Sequence, residues 1–296
     1  MQEILSKLRK YEIQIRKAVN TYMQGDFHSI FKGSGLEFSD VRDYLYGDDV
    51  RRIDWNVSAK GQGIFVKEFQ EEKEQTVFFV LDVSASQEIG FQKNKLNLAY
   101  EIAGVLALSA AKEKNDIGLI CFSSQKERYM KPQKGEKYAY EMIFNLFKLK
   151  PQSTQTDLAQ MIIYTLQMLK RKSVVILISD FIGENYEHHL KALAQKHDLV
   201  MLQLFDKQEI RLPAMGIIPV WDKESKRTIW VNTHSRDFKA LQKPRFESIQ
   251  QKLQEIALKN NANYLAISTQ EDFVPKLLEL FKKRKHKLKK NYAKTF

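Results

Sequence analysis

Asp82-Val83-Ser84-Ala85-Ser86 places one carboxylate and two hydroxyls at alternate positions, directly after an apolar run at 77–81. The chain holds 15 Asp and 17 Ser, so composition alone predicts about 0.05 occurrences of Asp-x-Ser-x-Ser. Side chains at alternate positions of a turn can all point at one spot. Carboxylate and hydroxyl oxygens are hard ligands. They suit a divalent cation, Mg²⁺ first with Mn²⁺ or Ca²⁺ as alternatives, and do not suit zinc. Two further residues stand where strands are expected to end. Thr156, with Asp157, precedes a helical pattern that starts near Leu158, and Asp180 follows the apolar run at 174–178. Asp82, Ser84, Ser86, Thr156 and Asp180 therefore form a candidate metal site. Each of the last two has a plainer reading: Thr156 caps the following helix, or Asp180 caps the turn after its strand. Their common position on one edge of one sheet favours the shared site.

Other reactive side chains offer less. His188 and His189 are adjacent on an expected helix and point in different directions, and His28, His197, His234 and His286 form no ligand spacing. The single cysteine, Cys121, excludes an internal disulfide, fits a reducing compartment and lies in an expected strand, which makes it a core residue. An acceptor aspartate of the Asp-x-Asp phosphatase kind would need a second Asp where Ser84 stands. The glycines lack the Gly-Lys-Ser/Thr that completes a phosphate-binding loop. With no base–nucleophile pair in view, a metal-dependent hydrolase stands behind a binding module.

These residues need a scaffold that brings separate loops together, and the hydropathy pattern supplies one. Continuous apolar runs predict strands at 77–81, 117–122, 173–179, 199–205 and 264–267, with a short edge strand at 128–131. Helical spacing predicts helices at 93–114, 138–149, 158–169, 186–196, a long one marked by Phe246, Ile249, Leu253, Ile256 and Ala257, and a last one at 273–281. Ile4, Leu8, Tyr11, Ile15, Ala18 and Tyr22 make one apolar stripe, which predicts a further helix over 1–24. Strands alternating with helices imply a mostly parallel sheet covered on both faces, with ligands at the carboxyl ends of its strands. Residues 206–235 read as an inserted hairpin between strand and helix.

Composition bounds the class. The 296 residues are 43% hydrophobic and 28% charged, with 12 Gly and 6 Pro, which excludes collagen-like, disordered and disulfide-scaffold proteins. No apolar run approaches the roughly 20 residues that cross a bilayer. The first residues lack the apolar core of a signal peptide. The expectation is a cytoplasmic protein. The formal charge is +12, but residues 282–296 alone hold eight Lys/Arg and no acid, so the rest of the chain is only mildly basic. Such a block is ordinarily a solvated end. Its alternative is electrostatic contact with an acidic partner, a nucleic acid or a membrane surface.

Residues 76–205, with Asp82, Ser84 and Ser86, then Thr156, then Asp180, resemble a von Willebrand factor A-type domain. The resemblance implies a metal-ion-dependent adhesion site in which these residues hold the ion directly or through water, with one position left for a partner's Glu or Asp. Upstream stand Phe31-Lys32-Gly33-Ser34-Gly35-Leu36-Glu37-Phe38 and Val41-Arg42-Asp43-Tyr44. Gly47-Asp48-Asp49-Val50-Arg51-Arg52-Ile53-Asp54-Trp55 and Ser58-Ala59-Lys60 follow. With His28-Ser29 and, in the insert, Glu209, Leu212-Pro213, Gly216, Asp222 and Glu224, they resemble the bacterial family catalogued as domain of unknown function 58. Lys60 stands where that family usually has Arg, which keeps the charge and loses the bidentate fork.

The implied fold is a von Willebrand A-like, doubly wound, mostly parallel α/β sheet with helices on both faces, plus an N-terminal helix and a small irregular or β subdomain. Three parts are expected: 1–75, the helix and signature; 76–281, the α/β domain; and 282–296, the basic tail. In the signature, Gly33, Gly35 and Gly47 would permit tight turns. Asp48, Asp49, Arg51, Arg52 and Asp54 would form a charge lattice with Trp55 as its apolar anchor, either clamping a small subdomain or docking a partner. The implied function is non-enzymatic, metal-dependent protein binding. The implied partners are a MoxR-type AAA+ ATPase and a client protein bearing an acidic residue.

Overall fold

The structure, a computed structural model, describes residues 34–61, 63–72, 75–88, 94–210, 216–222, 227–232 and 235–292. The helix expected over 1–24, the signature residues from His28 to Gly33, and Leu212, Pro213 and Glu224 of the insert lie outside the described residues.

Strands form where the sequence is apolar without interruption. β3 (Thr76–Asp82), β4 (Asp116–Phe122), β6 (Val174–Ser179) and β7 (Asp198–Phe205) are buried on both faces along nearly their whole length. They join β5 (Lys126–Gln133) and β10 (Asn263–Ser268) in a six-stranded sheet of order β10-β7-β6-β3-β4-β5. All neighbours run parallel except β5, which pairs antiparallel with β4 at the edge. Only an edge strand tolerates the polar alternation of Lys126–Gln133, including Pro132. From β3 the chain builds outward through β4 and β5. It then returns to the other side of β3 for β6, β7 and β10. The switch point of this doubly wound sheet thus lies between β3 and β6. An open sheet of this kind opens a crevice there, at the carboxyl ends of the strands.

Helices cover both faces. α2 (Lys95–Lys112), α3 (Glu136–Lys148) and α8 (Phe273–Tyr292) pack with Phe79, Leu81, Ile117, Leu119 and Ile176 on one side. α4 (Leu158–Met168), α5 (Glu187–Lys196) and α7 (Arg236–Lys259) pack with Phe78, Val80, Ile120, Val175 and Met201 on the other. α2 starts at Asn94, whose side chain accepts from Asn97 N at 2.8 Å. Cys121 is buried in β4, and burial pushes its thiol far up, as expected for a core residue and unlike a nucleophile.

The signature forms a small antiparallel sheet of β1 (Ser34–Asp43) and β2 (Phe65–Glu72), with a one-turn helix α1 (Trp55–Ser58) between them. Gly47 adopts φ +108°, a turn conformation that favours glycine, whereas Gly35 lies within β1 beside a register shift. Several of the charged residues make local contacts. Arg42 makes a bidentate fork onto Asp48, with both N–O distances 2.7 Å. Asp49 caps the 3-10 turn at Arg51, and Asp54 caps α1 through the amides of Asn56 and Val57. Trp55 is not the anchor the sequence suggests. It is 68% exposed, because it opens a single helical turn that buries none of its residues.

After β7 the chain makes one turn, α6 (Lys207–Ile210), and then the expected hairpin of β8 (Ile217–Asp222) and β9 (Arg227–Asn232). The last helix extends well past 281 and carries the basic segment as far as Tyr292. Within it Arg284 is buried and paired with Asp198 at the start of β7, so part of that segment belongs to the packed body. Among the described residues no helix is long and apolar enough to cross a membrane.

Candidate functional site

Asp82 is the last residue of β3, beside the switch point. The chain turns there at once. Asp82 Oδ1 accepts from Ser84 N at 3.0 Å, Val83 N donates to Phe122 O at 2.9 Å, and a 3-10 turn over Ala85–Glu88 follows. This turn brings Ser84 Oγ and Ser86 Oγ to 3.1 Å from each other. Ser84 and Asp82 are buried, and Ser86 is half-buried. Asp82 Oδ2 accepts from Gln87 Nε2 at 3.1 Å and from Ser179 Oγ at 2.9 Å. The second of these bonds ties the end of β3 to the end of β6.

Asp180 follows β6 and is also buried. Its Oδ1 accepts from Ile182 N at 3.1 Å, so it does cap the turn after its strand. Its Oδ2 faces inward and takes a bond from Lys95 Nζ at 2.8 Å. The next residue, Phe181, holds φ +59°, an unusual backbone conformation for a bulky side chain. Phe181 N donates to Ser179 Oγ at 2.9 Å and Tyr186 OH donates to Phe181 O at 3.1 Å, which fixes the bend. The bend comes directly after Asp180, whose carboxylate is held by Lys95 and Ile182 N.

Thr156 stands in the loop between α3 and α4 and is half-buried. Asp157, not Thr156, caps α4, accepting from Gln160 N at 2.9 Å, so the plainer reading of Thr156 does not apply. The loop is stitched to the serine turn by Ala85 N–Thr154 O at 3.0 Å and to the end of β4 by Asp157 N–Ser123 O at 3.1 Å. Glu127 of β5 secures it further, accepting from the amides of Gln152 at 2.8 Å and Ser153 at 3.0 Å. Burial pushes the Glu127 carboxyl up, but these bonds and one from Ser123 outweigh it and hold the group below its usual range. The three loops that carry Asp82, Ser84, Ser86, Thr156 and Asp180 thus meet along one rim of the sheet.

Electrostatics set the character of this rim. Burial, and then repulsion from Asp180, raise the Asp82 carboxyl from 3.8 to about 6. Lys95 is 0% exposed and bridges Asp180 and Glu209, with Nζ 2.8 Å from each carboxylate. Burial lowers the affinity of Lys95 for its proton, but the two carboxylates outweigh it and push the ammonium up. For Glu209 burial dominates over Lys95 and raises the carboxyl. Two carboxylates thus hold one ammonium, and a third, Asp82, lies beside Asp180. With all four groups charged, two negative charges stay uncompensated in a poorly solvated place, which matches the charge of one divalent cation. The oxygen donors have the chemistry such an ion takes. Among the described residues no group of three or more His, Cys, Asp or Glu is placed to hold a metal ion.

The sequence reading had no place for Lys95, Gln87, Ser179 or Glu127. Lys95 left a trace: it begins the buried stripe that continues through Leu98, Ala99, Ile102 and Leu106, and a charged residue on such a stripe must find a partner.

A family model described as "Protein of unknown function DUF58" matches residues 40–252. The chain belongs to the DUF58 family. Within it, the chain is 26% identical to the uncharacterized protein Rv1480 of Mycobacterium tuberculosis over 227 residues, 75% of this chain and 72% of that protein. It is also 28% identical over 90 residues to the uncharacterized protein MAV169 of Mycobacterium avium, 29% of this chain and 53% of the relative. Among solved structures, this DUF58 chain is similar to an aerotolerance-related membrane protein from Bacteroides fragilis, at 15% identity and TM-score 0.49, covering 72% of this chain and 99% of the other. BatB from Bacteroides thetaiotaomicron gives 16% identity and TM-score 0.45, covering 71% and 98%. The VWA domain of SpRpn10 gives 9% and 0.41, covering 70% and 94%. The von Willebrand A-like assignment of the DUF58 chain stands on its own strand order and the position of its switch point.

Proposed function

We propose that this DUF58 protein is a non-enzymatic, metal-dependent protein-binding module. Asp82, Ser84, Ser86, Thr156 and Asp180 would hold a divalent cation, Mg²⁺ first, at the switch point. One observation carries the reading: the buried Asp82 carboxylate, raised by burial and by the charge of the buried Asp180, stands beside a pair of serine hydroxyls. When bound, the ion supplies a positive centre with a coordination position for an outside carboxylate. The chain's own groups do the rest. Ser179 and Gln87 hold the Asp82 carboxylate still, Lys95 and the Ile182 amide hold Asp180, and Glu127 fixes the loop of Thr156. The chemistry then selects a partner that presents Glu or Asp. We place the protein as an adaptor of a MoxR-type AAA+ ATPase, presenting acidic clients to it in a chaperone-like or complex-assembly role.

Isothermal titration of the full chain against a purified MoxR-type ATPase tests this. The expected result is binding in Mg²⁺ that weakens by about tenfold or more, some 1.4 kcal/mol, in EDTA and for Asp82→Ala. Equal affinity under all three conditions rejects metal-mediated docking.

A further inference from the structure

Lys95 is not among the residues proposed to hold the ion. It is a cation already inside the site. It is wholly buried at the first position of α2, and it reaches two carboxylates that lie 85 and 114 residues further along the chain. One is Asp180, a proposed ligand. The other is Glu209 of α6, the first turn of the inserted excursion. Glu209 is itself held in place, since its Oε2 accepts from Asp206 N at 3.2 Å, and Asp206 Oδ2 accepts from Thr269 Oγ1 at 2.6 Å. The lysine therefore cannot follow Asp180 without leaving a fixed Glu209, nor the reverse.

We infer that Lys95 is a resident ammonium that competes with the divalent cation for Asp180, and that Glu209 sets how strongly it competes. The inference rests on the metal reading above and deepens it. The argument is electrostatic. Lys95 engages Asp180 Oδ2, and Oδ1 is engaged by Ile182 N, so an ion nearby receives only a shared carboxylate. Two like charges against one buried carboxylate repel, and the repulsion is large where water does not screen it. Glu209 draws the ammonium's charge the other way and relieves the competition. Lys95 thus lowers the affinity for the ion, and Glu209 raises it. The two residues act through Asp180 and are positioning residues, not ligands.

The opposed signs provide the test. Mg²⁺ alone is titrated into full-length protein by calorimetry, for wild type, Lys95→Met and Glu209→Gln. Lys95→Met is expected to bind Mg²⁺ about tenfold tighter, and Glu209→Gln at least about threefold weaker. A purely structural role for Lys95 would weaken binding in both variants. Should Lys95→Met fail to fold with two carboxylates left unpaired, the double variant Lys95→Met/Glu209→Gln removes one of them, and it is expected to bind tighter than Glu209→Gln alone. Affinities equal to wild type, or shifts of the same sign in both single variants, overturn the inference and leave the adhesion reading standing. No Mg²⁺ binding by any of these proteins overturns both.

Discussion

Asp82→Asn is expected to make the metal-free protein more stable, by about 2 kcal/mol at pH 7.5, while removing its response to Mg²⁺. In the native chain Asp82 is buried beside Asp180, which raises its carboxyl from 3.8 to about 6. The native state therefore keeps a proton, between about pH 4 and 6, that the unfolded chain has released. Stability of the metal-free protein rises as pH falls through that window, and above it the full cost of the buried charge stands. Asparagine removes the charge and keeps the shape, and the two bonds that Asp82 Oδ2 accepts then reverse direction. Its carbonyl accepts from Ser84 N in place of Oδ1. Its amide then faces Ser179 Oγ and Gln87, and Gln87 Oε1 is a buried acceptor with no hydrogen-bond partner, ready for that donor once the Gln87 amide turns over. Thermal melts in EDTA and in Mg²⁺ check both halves. Wild type is expected to melt lower than the variant in EDTA and to rise in Mg²⁺, and the variant to be indifferent to the ion. A variant less stable than wild type in EDTA would show that the Asp82 charge is not a burden, and the case for a missing counter-charge would fall.

Gly118→Val is expected to cost about 3 kcal/mol of stability. Gly118 lies on β4 directly across from Phe78 of β3. A Cβ at Gly118 would stand 2.6 Å from Phe78 Cε1 and 2.9 Å from Cδ1, well inside van der Waals contact. The ring cannot retreat, because it is buried in the cluster that includes Val80, Ile120, Leu158 and Met161. Since β3 ends at Asp82, the strain enters the strand that carries the site. A denaturant titration should show the midpoint falling with its slope unchanged. Shortening the ring in Phe78→Leu/Gly118→Ala should cost less than the sum of the two single changes, since neighbours that share space do not act independently. A loss below about 0.5 kcal/mol for Gly118→Val would mean the ring has room.

How much of this was legible in the sequence depends on the distance over which each feature is decided. Strands buried on both faces must be apolar throughout, so Thr76–Asp82 and Val174–Ser179 announced themselves. Their carboxyl ends then fixed where Asp82 and Asp180 fall, and the mostly parallel sense of the sheet followed from alternation with helices, whereas the strand order did not. Lys95 with Asp180 and Glu209 was not legible, because the contact exists only after the sheet has brought α2, β6 and α6 together. The cap of α4 went to Asp157 and not to its neighbour Thr156, a choice of one residue that turn geometry makes and composition does not. Trp55 reads as an anchor by its type, yet a one-turn helix has no buried face to give it. The basic residues after 281 read as a solvated end by charge alone. Helix α8 carries the segment on, and Arg284 finds Asp198 86 residues away in sequence.

The proposed function requires a hard cation between the serine pair and Asp180. Crystals of the full chain grown with Mn²⁺ test it most directly, since the ion's anomalous scattering locates it without assumption. The expected result is a peak at bonding distance from Ser84 Oγ and Ser86 Oγ, on the same rim as Asp180. A map with no peak there, at Mn²⁺ concentrations that saturate other proteins' magnesium sites, would contradict it.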